Sequence, residues 1–239
     1  MLNLVTREVT TAVRSAIGAV EACLRNRALR YALIGIAISD ALVLSAFVAW
    51  AAAEHFYLED SYFYRKAIFS SFDWSLMEIS GYIKEAACAL MIGLMAWKTR
   101  SSLFAALTFF IVVVLADDAL RLHETFGRAL AVLGVSKWIS QSVAAGVTAV
   151  LPVALLVTTW IRANKRQRCA VNAVLVPIAV LLFFAVGVDA IHELVKEFTS
   201  DYGKVFALFE DGGELLSLTL LIAVVAGVFL SLPRNASLE

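Results

Sequence analysis

Six stretches of this chain are mostly apolar over the length of a membrane span, and they constrain its fold more than any other feature. A bilayer core of about 30 Å is crossed by about 20 residues in helical conformation. Hydrocarbon offers no hydrogen bonds to the backbone, so such segments form helices. Hydrophobic residues make up 61% of the chain, against about 45–50% in a soluble domain. The sequence therefore predicts an all-α fold, a six-helix transmembrane bundle with spans near 31–53, 75–97, 102–123, 138–161, 170–192 and 206–231.

The segment before the first span is predicted to be a separate element. Within residues 1–30, an apolar stripe that includes Val9, Val13 and Ile17 recurs at helical spacing, and Arg7 and Arg14 lie on another side. This pattern predicts an N-terminal amphipathic interfacial helix that lies flat on the cytoplasmic leaflet. The alternative is a helix that packs against the base of the bundle or against a partner. Residues 31–239 are then the six-span bundle.

The distribution of charge predicts the orientation of the spans. Lysine and arginine are enriched in the N-terminal segment, in the second and fourth connections and at the C-terminus, whereas the first and fifth connections are acidic or mixed. Positive charge marks the cytoplasmic side. Both termini are therefore predicted to be cytoplasmic. The basic residues that carry the argument are Arg7, Arg14, Arg25, Arg27, Arg30, Lys98, Arg100, Arg162, Lys165, Arg166, Arg168 and Arg234.

Three clusters of acidic residues and histidine lie at the ends of the apolar stretches. They read DDALRLHE at 117–124, DAIHE at 189–193 and EDGGE at 210–214. With the predicted orientation and a rise of about 1.5 Å per residue, all three lie near the outer face of the membrane, together with Glu78 and Glu85 of the second span. Ionisable groups inside a membrane are costly and commonly mark a functional site.

Carboxylate and histidine side chains from several helices are typical ligands of zinc, iron and manganese. Asp189 and His192 have the i, i+3 spacing of such ligands, whereas an ideal helix places His123 nearly opposite Asp117 unless the helix ends before it. Glu78 and Glu85 are the predicted general bases. The predicted metal ligands are Asp117, Glu124, Asp189, His192, Glu193, Glu210 and Glu214, with Asp118, Arg121, His123 and Asp211 as a second tier.

A second polar pair is predicted deeper in the membrane. Asp40 lies well inside the first span and Lys84 well inside the second, and counting from opposite membrane faces brings both close to the middle. Because an isolated charge there is costly, we expect the two side chains to pair. The pair is then either structural or part of a proton relay, with Glu85 as a competing partner of Lys84.

These observations predict divalent-metal binding at the non-cytoplasmic face, extending to a lipid-directed metalloenzyme. The alternatives are a cation or proton transporter or channel, and a scaffold or sensor subunit whose polar cluster binds a partner. The acids could also be purely structural, as solvated groups, helix caps or salt-bridge partners. The expected partners are the lipid bilayer and a lipid or ion substrate, and a divalent metal is the only cofactor expected. The formal net charge is zero, with 20 basic and 20 acidic residues, so the sequence gives no indication of a nucleic-acid partner.

The three acidic strings, two of which contain histidine, resemble those of uncharacterised bacterial polytopic inner-membrane proteins, in which such strings recur at helix ends. The resemblance covers these motifs and the general arrangement of spans. It implies a multi-pass protein of the bacterial inner (cytoplasmic) membrane and implies no particular activity. The resemblance to intramembrane hydrolases of the alkaline ceramidase and progestin-receptor type is only architectural, because this sequence lacks their late H-x-x-x-H pair.

Overall fold

The computed structural model describes residues 2–70, 74–132, 134, 137–188, 191 and 203–232. These residues form eight α-helices and no strand, which confirms the all-α class. Short helical turns also occur at Ala67–Phe69 and, as a π-helix, at Phe183–Val188. The α-helices are α1 (Leu2–Arg25), α2 (Arg27–His55), α3 (Leu76–Thr99), α4 (Ser102–Leu120), α5 (Leu122–Ala131), α6 (Lys137–Arg162), α7 (Lys165–Leu182) and α8 (Gly203–Ser231).

Within the described residues, six helices are long and apolar enough to cross a membrane. This number agrees with the sequence prediction, and the chain has the organisation of a multi-pass membrane protein. The third span ends at Leu120 rather than near residue 123, because the chain leaves the helix at the following residue. The six segments are Arg27–His55, Leu76–Thr99, Ser102–Leu120, Ile139–Arg162, Lys165–Val188 and Lys204–Ser231.

The chain divides into two compact units. Unit 1 comprises Met1–Lys84 and Ala173–Gly227. Its hydrophobic core includes Phe47 and Trp50 of α2, whose ring centroids are 5.5 Å apart, together with Met77 of α3. On α8, Gly213 lies against Phe184 of the π-helical turn, and a Cβ atom at this glycine would overlap the ring. The absence of a side chain therefore lets the turn approach α8 closely.

Unit 2 comprises Glu85–Asn172 and Val228–Glu239. Within it, α4 and α5 both pack against α6. Fully buried side chains on α3 and α4 include Ile92, Met95 and Leu103. The two helices approach each other at Gly93, where a Cβ atom would lie 3.5 Å from the side chain of Thr108. At the α5–α6 crossing, a Cβ atom on Gly127 would lie only 2.8 Å from the Cα atom of Gln141. Such a close approach fixes α5 against α6 and so positions the helix that carries His123.

Candidate metal centre

The candidate site is built where α4 ends. Arg121 adopts the left-handed conformation, with φ 54° and ψ 46°, and its N–H donates to the carbonyls of Asp117 and Asp118. This is a helix-terminating geometry that glycine usually provides, and a residue with a side chain adopts it at some energetic cost. The next helix, α5, begins immediately at Leu122. The sharp change of direction turns the start of α5 back toward the last turn of α4.

The carboxylate of Asp117 makes two hydrogen bonds to His123. Its Oδ1 accepts from the backbone N–H at 3.0 Å, and its Oδ2 lies 2.9 Å from the ring Nδ1. The first bond caps α5, because the N–H groups of a first helical turn have no partner within the helix. The second orients the imidazole: a neutral ring that donates from Nδ1 leaves the Nε2 lone pair available to a metal.

The side chains of Asp117, Asp118 and His123 together form a group that could hold a metal ion. One ligand atom from each lies within 4.8 Å of the other two. Donors bound to one tetrahedral ion at about 2.0–2.2 Å are about 3.3–3.6 Å apart, so side-chain movements of up to about 1 Å would close the group around an ion. Two carboxylates and one imidazole are a donor set that zinc, iron and manganese accept.

Glu85 of α3 is a buried carboxylate in the same unit. Its exposed fraction is 4%, and its Oε2 has no hydrogen-bond partner among the described residues. Asp118 acts electrostatically on it, so the two acids are neighbours. A buried carboxylate oxygen without a partner is energetically costly, and the cost is relieved when the group takes up a proton or a cation.

Asp40 and Lys84, which the sequence places at similar depth, meet in unit 1. Lys84 Nζ donates to Asp40 Oδ1 at 2.6 Å and to the carbonyl of Leu215 at 2.9 Å. Thr219 Oγ1 lies 2.6 Å from Asp40 Oδ2 and donates to it. The exposed fractions of Asp40 and Lys84 are 1% and 5%. Neither α8 partner was predicted from the sequence, although Thr219 is a polar residue within an apolar span.

Glu78, a predicted general base, accepts two hydrogen bonds at the start of α3. Its Oε2 accepts from the N–H of Trp74 at 2.6 Å and from the hydroxyl of Tyr82 at 3.1 Å. The N–H of Glu78 in turn donates to Ser75 Oγ at 3.4 Å. This is close to the capping box, in which a serine and a glutamate three residues later satisfy the free N–H groups of a helix start. The Ser-x-x-Glu spacing was readable from the sequence.

The other predicted ligands are not part of the group at the α4–α5 junction as far as the structure describes them. Glu210, Asp211 and Glu214 lie about two to three turns after the start of α8, in unit 1, where Glu210 and Glu78 act electrostatically on Asp211. Asp189, His192 and Glu193 lie outside the described residues, as does the side chain of Glu124. Their predicted role as ligands stays a prediction.

One family profile matches the chain over residues 67–228, and its description is a domain of unknown function, DUF8692. The match covers more than half of the 239 residues. The chain belongs to the DUF8692 family. The DUF8692 region contains the Asp117, Asp118 and His123 group and Glu85, whereas α1 and α2 with Asp40 precede it. No curated protein and no solved structure matches the chain.

Proposed function

We propose that this DUF8692 protein binds one divalent metal ion, zinc, iron or manganese, through Asp117, Asp118 and His123 at the α4–α5 junction. The observation that carries the proposal is the proximity of one ligand atom from each of the three side chains, within 4.8 Å. The contact between Asp117 Oδ2 and Nδ1 of His123, at 2.9 Å, supports the proposal because it holds two of the three proposed ligands side by side. The orientation predicted from the sequence places this junction at the non-cytoplasmic face.

The chemistry that such a site supports is hydrolysis or oxidation of a lipid-linked substrate. Three protein ligands leave a coordination position for water, and a catalytic zinc lowers the pKa of bound water to about 7. Glu85, buried beside Asp118, is the group that would accept a proton from that water. A lipid reaches the end of a membrane-spanning helix sideways through the leaflet, and for this reason we propose a lipid substrate in a bacterial inner membrane.

Metal analysis of the purified protein tests the proposal. We expect about one equivalent of zinc, iron or manganese per chain at neutral pH without chelator. His123→Ala should weaken binding by at least the 10–100-fold that loss of an outer partner causes. His55→Ala is the matched control, because His55 is an exposed histidine at the end of α2 whose ring contacts Phe56 with centroids 4.8 Å apart.

A second pair of variants separates ligand loss from general disruption. Asp118→Asn keeps the size of the side chain and removes its charge, and Asp60→Asn makes the same change at an exposed loop position. We expect only Asp118→Asn to lower the metal content. A wild-type protein that holds no stoichiometric metal, or equal loss of metal in both asparagine variants, would refute the proposed site.

A cation or proton transfer function is the second candidate, and the buried pair of Asp40 and Lys84 favours it. Charged side chains inside spans regularly belong to ion or proton pathways. Reconstituted vesicles with an internal pH dye distinguish the candidates. A proton flux that Asp40→Asn abolishes and His123→Ala leaves intact would support transport over metal binding.

A further inference from the structure

Helix α1 presents three different faces, and the first packs on the protein. Ala16, Ala19 and Cys23 are buried, with exposed fractions of 8% or less. On α8, a Cβ atom at Gly227 would overlap the backbone of Ala19, so the two helices touch at this glycine. Small residues on both sides allow this close approach. The position of α1 on unit 1 is therefore defined by a face of small residues.

The second face of α1 is apolar and exposed. Val9, Val13, Ile17 and Leu24 share one side of the helix, and their exposed fractions are between 39% and 57%. This stripe lies about a quarter to a third of a turn away from the buried alanines, at about 100° per residue. The larger branched side chains thus face away from the protein, while the small ones face toward it.

The third face of α1 is basic. Arg7, Arg14 and Arg25 are exposed on it, and Glu21 is the acid that accompanies them, with Arg25 Nη2 3.4 Å from its Oε2. The face therefore carries a net positive charge directly beside the apolar stripe. Helices that lie in a membrane interface have this combination of a basic polar face and an adjacent apolar face.

The connection to α2 places α1 at the membrane surface. Only Asn26 separates α1 from α2, and its Oδ1 accepts a hydrogen bond from the N–H of Leu29 at 3.2 Å, which caps the first span. At the other contact, Gly227 lies close to the end of α8 at Ser231. Both contacts of α1 are thus near the ends of membrane-spanning helices, where headgroups are found.

We propose that α1 lies in the headgroup region of the bilayer and binds anionic lipids, with the Val9, Val13, Ile17 and Leu24 stripe toward the acyl chains and the arginines toward the phosphates. The occupant of the exposed stripe is the lipid surface itself rather than a partner protein. Charge complementarity between the arginines and anionic headgroups carries this choice. The proposal concerns a surface that takes no part in the metal site.

Fluorophore labelling of full-length protein in vesicles tests the proposal. The background is Cys169→Ser, because Cys169 is exposed, whereas Cys88 is buried, as is Cys23. Burial also raises the pKa of the Cys23 thiol, which slows its reaction with maleimides. An environment-sensitive dye is attached to Ile17→Cys, or to Gly18→Cys as control. Gly18 is adjacent, and a Cβ atom there has no atom within 4 Å.

The vesicles are phosphatidylcholine with or without phosphatidylglycerol, and brominated acyl chains are the quencher. We expect quenching at position 17 and little at position 18, and we expect phosphatidylglycerol to increase it. Each of Arg7→Glu and Arg14→Glu should lower the equilibrium constant for docking of α1 on the lipid surface at least about fivefold. This is equivalent to about 1 kcal/mol per cation removed. Raising the salt from about 0.1 to 1 M should have the same effect on the unmutated protein, since the screening length falls from about 10 to 3 Å.

Equal quenching at positions 17 and 18, or none at either, would overturn the in-plane orientation. Quenching that is independent of phosphatidylglycerol and of salt would overturn the anionic-lipid assignment. The salt titration needs no charge-reversal variant, so the test remains decisive even where such a variant fails to fold. Protection of position 17 from both lipid and aqueous quenchers would indicate a protein partner instead and would refute the proposal.

Discussion

Replacement of Lys84 by methionine tests how the buried ion pair is stabilised. The side chain retains its length and loses its charge, so Asp40 keeps its position with a carboxylate that Lys84 no longer neutralises. Lys84 Nζ is 2.6 Å from Asp40 Oδ1, and both residues are at least 95% buried. Thr219 still donates to the other oxygen of Asp40. One neutral hydrogen bond does not replace the lost cation, so we expect a large loss of stability.

The magnitude follows from the cost of an unpaired buried charge. Removing one partner of a buried pair costs about 3–5 kcal/mol, and a single ionised side chain at the centre of a span costs about 2.5–3.5 kcal/mol. We therefore expect Lys84→Met to lower the free energy of unfolding by about 3 kcal/mol. The double variant Asp40→Leu, Lys84→Met removes both charges, and similar double replacements are neutral or stabilising by about 1–4 kcal/mol.

Reversible unfolding in mixed micelles, followed by tryptophan fluorescence and far-UV circular dichroism, measures these differences. Lys98→Met is the matched control, because Lys98 is exposed and its Nζ lies 4.6 Å from the ring centroid of Phe229, a contact worth about 0.5–1 kcal/mol. If Lys84→Met lowers the free energy of unfolding no more than Lys98→Met does, the buried pair does not stabilise the fold. If the double variant is as unstable as the single one, the cost is not that of an unpaired charge.

Four further variants test the unit that carries the candidate metal site. Glu85→Gln should weaken metal binding about 10-fold, by metal titration, without lowering metal-free stability, because Oε2 has no hydrogen bond to lose among the described residues. Asp117→Ala should cost about 1–2 kcal/mol in unfolding experiments through loss of the α5 cap. Gly127→Ala should cost about 1–3 kcal/mol, since its Cβ atom would meet the backbone of Gln141, whereas Gly146→Ala, with open space around it, should stabilise α6 by about 0.5–1 kcal/mol. Equal effects of the two glycine variants on stability would contradict the packing at the α5–α6 crossing. Metal affinity unchanged by Glu85→Gln would contradict the role given to Glu85 beside the metal.

The candidate site shows where reasoning from helical periodicity succeeds and where it ends. The i, i+4 spacing of Glu78 and Tyr82 within α3 correctly places their side chains together. For His123 the same reasoning predicts a position opposite Asp117 unless the helix ends before it, and the helix does end, so the two side chains meet. Periodicity assumes an unbroken helix, and α4 ends at Leu120. Neither glycine nor proline marks the break, so the sequence carries no local signal for it.

The sequence by itself determined the all-α class and the six apolar helices. Both follow from local physics, because hydrocarbon cannot hydrogen-bond the backbone and the thickness of the bilayer sets the length of each apolar segment. Tertiary structure decided which side chains meet. The left-handed Arg121 turns His123 onto Asp117, and the register of α8 brings Thr219 to Asp40. These contacts depend on how segments that are distant along the chain pack together, or on how neighbouring elements bend the chain. The periodicity of a single segment does not encode such packing.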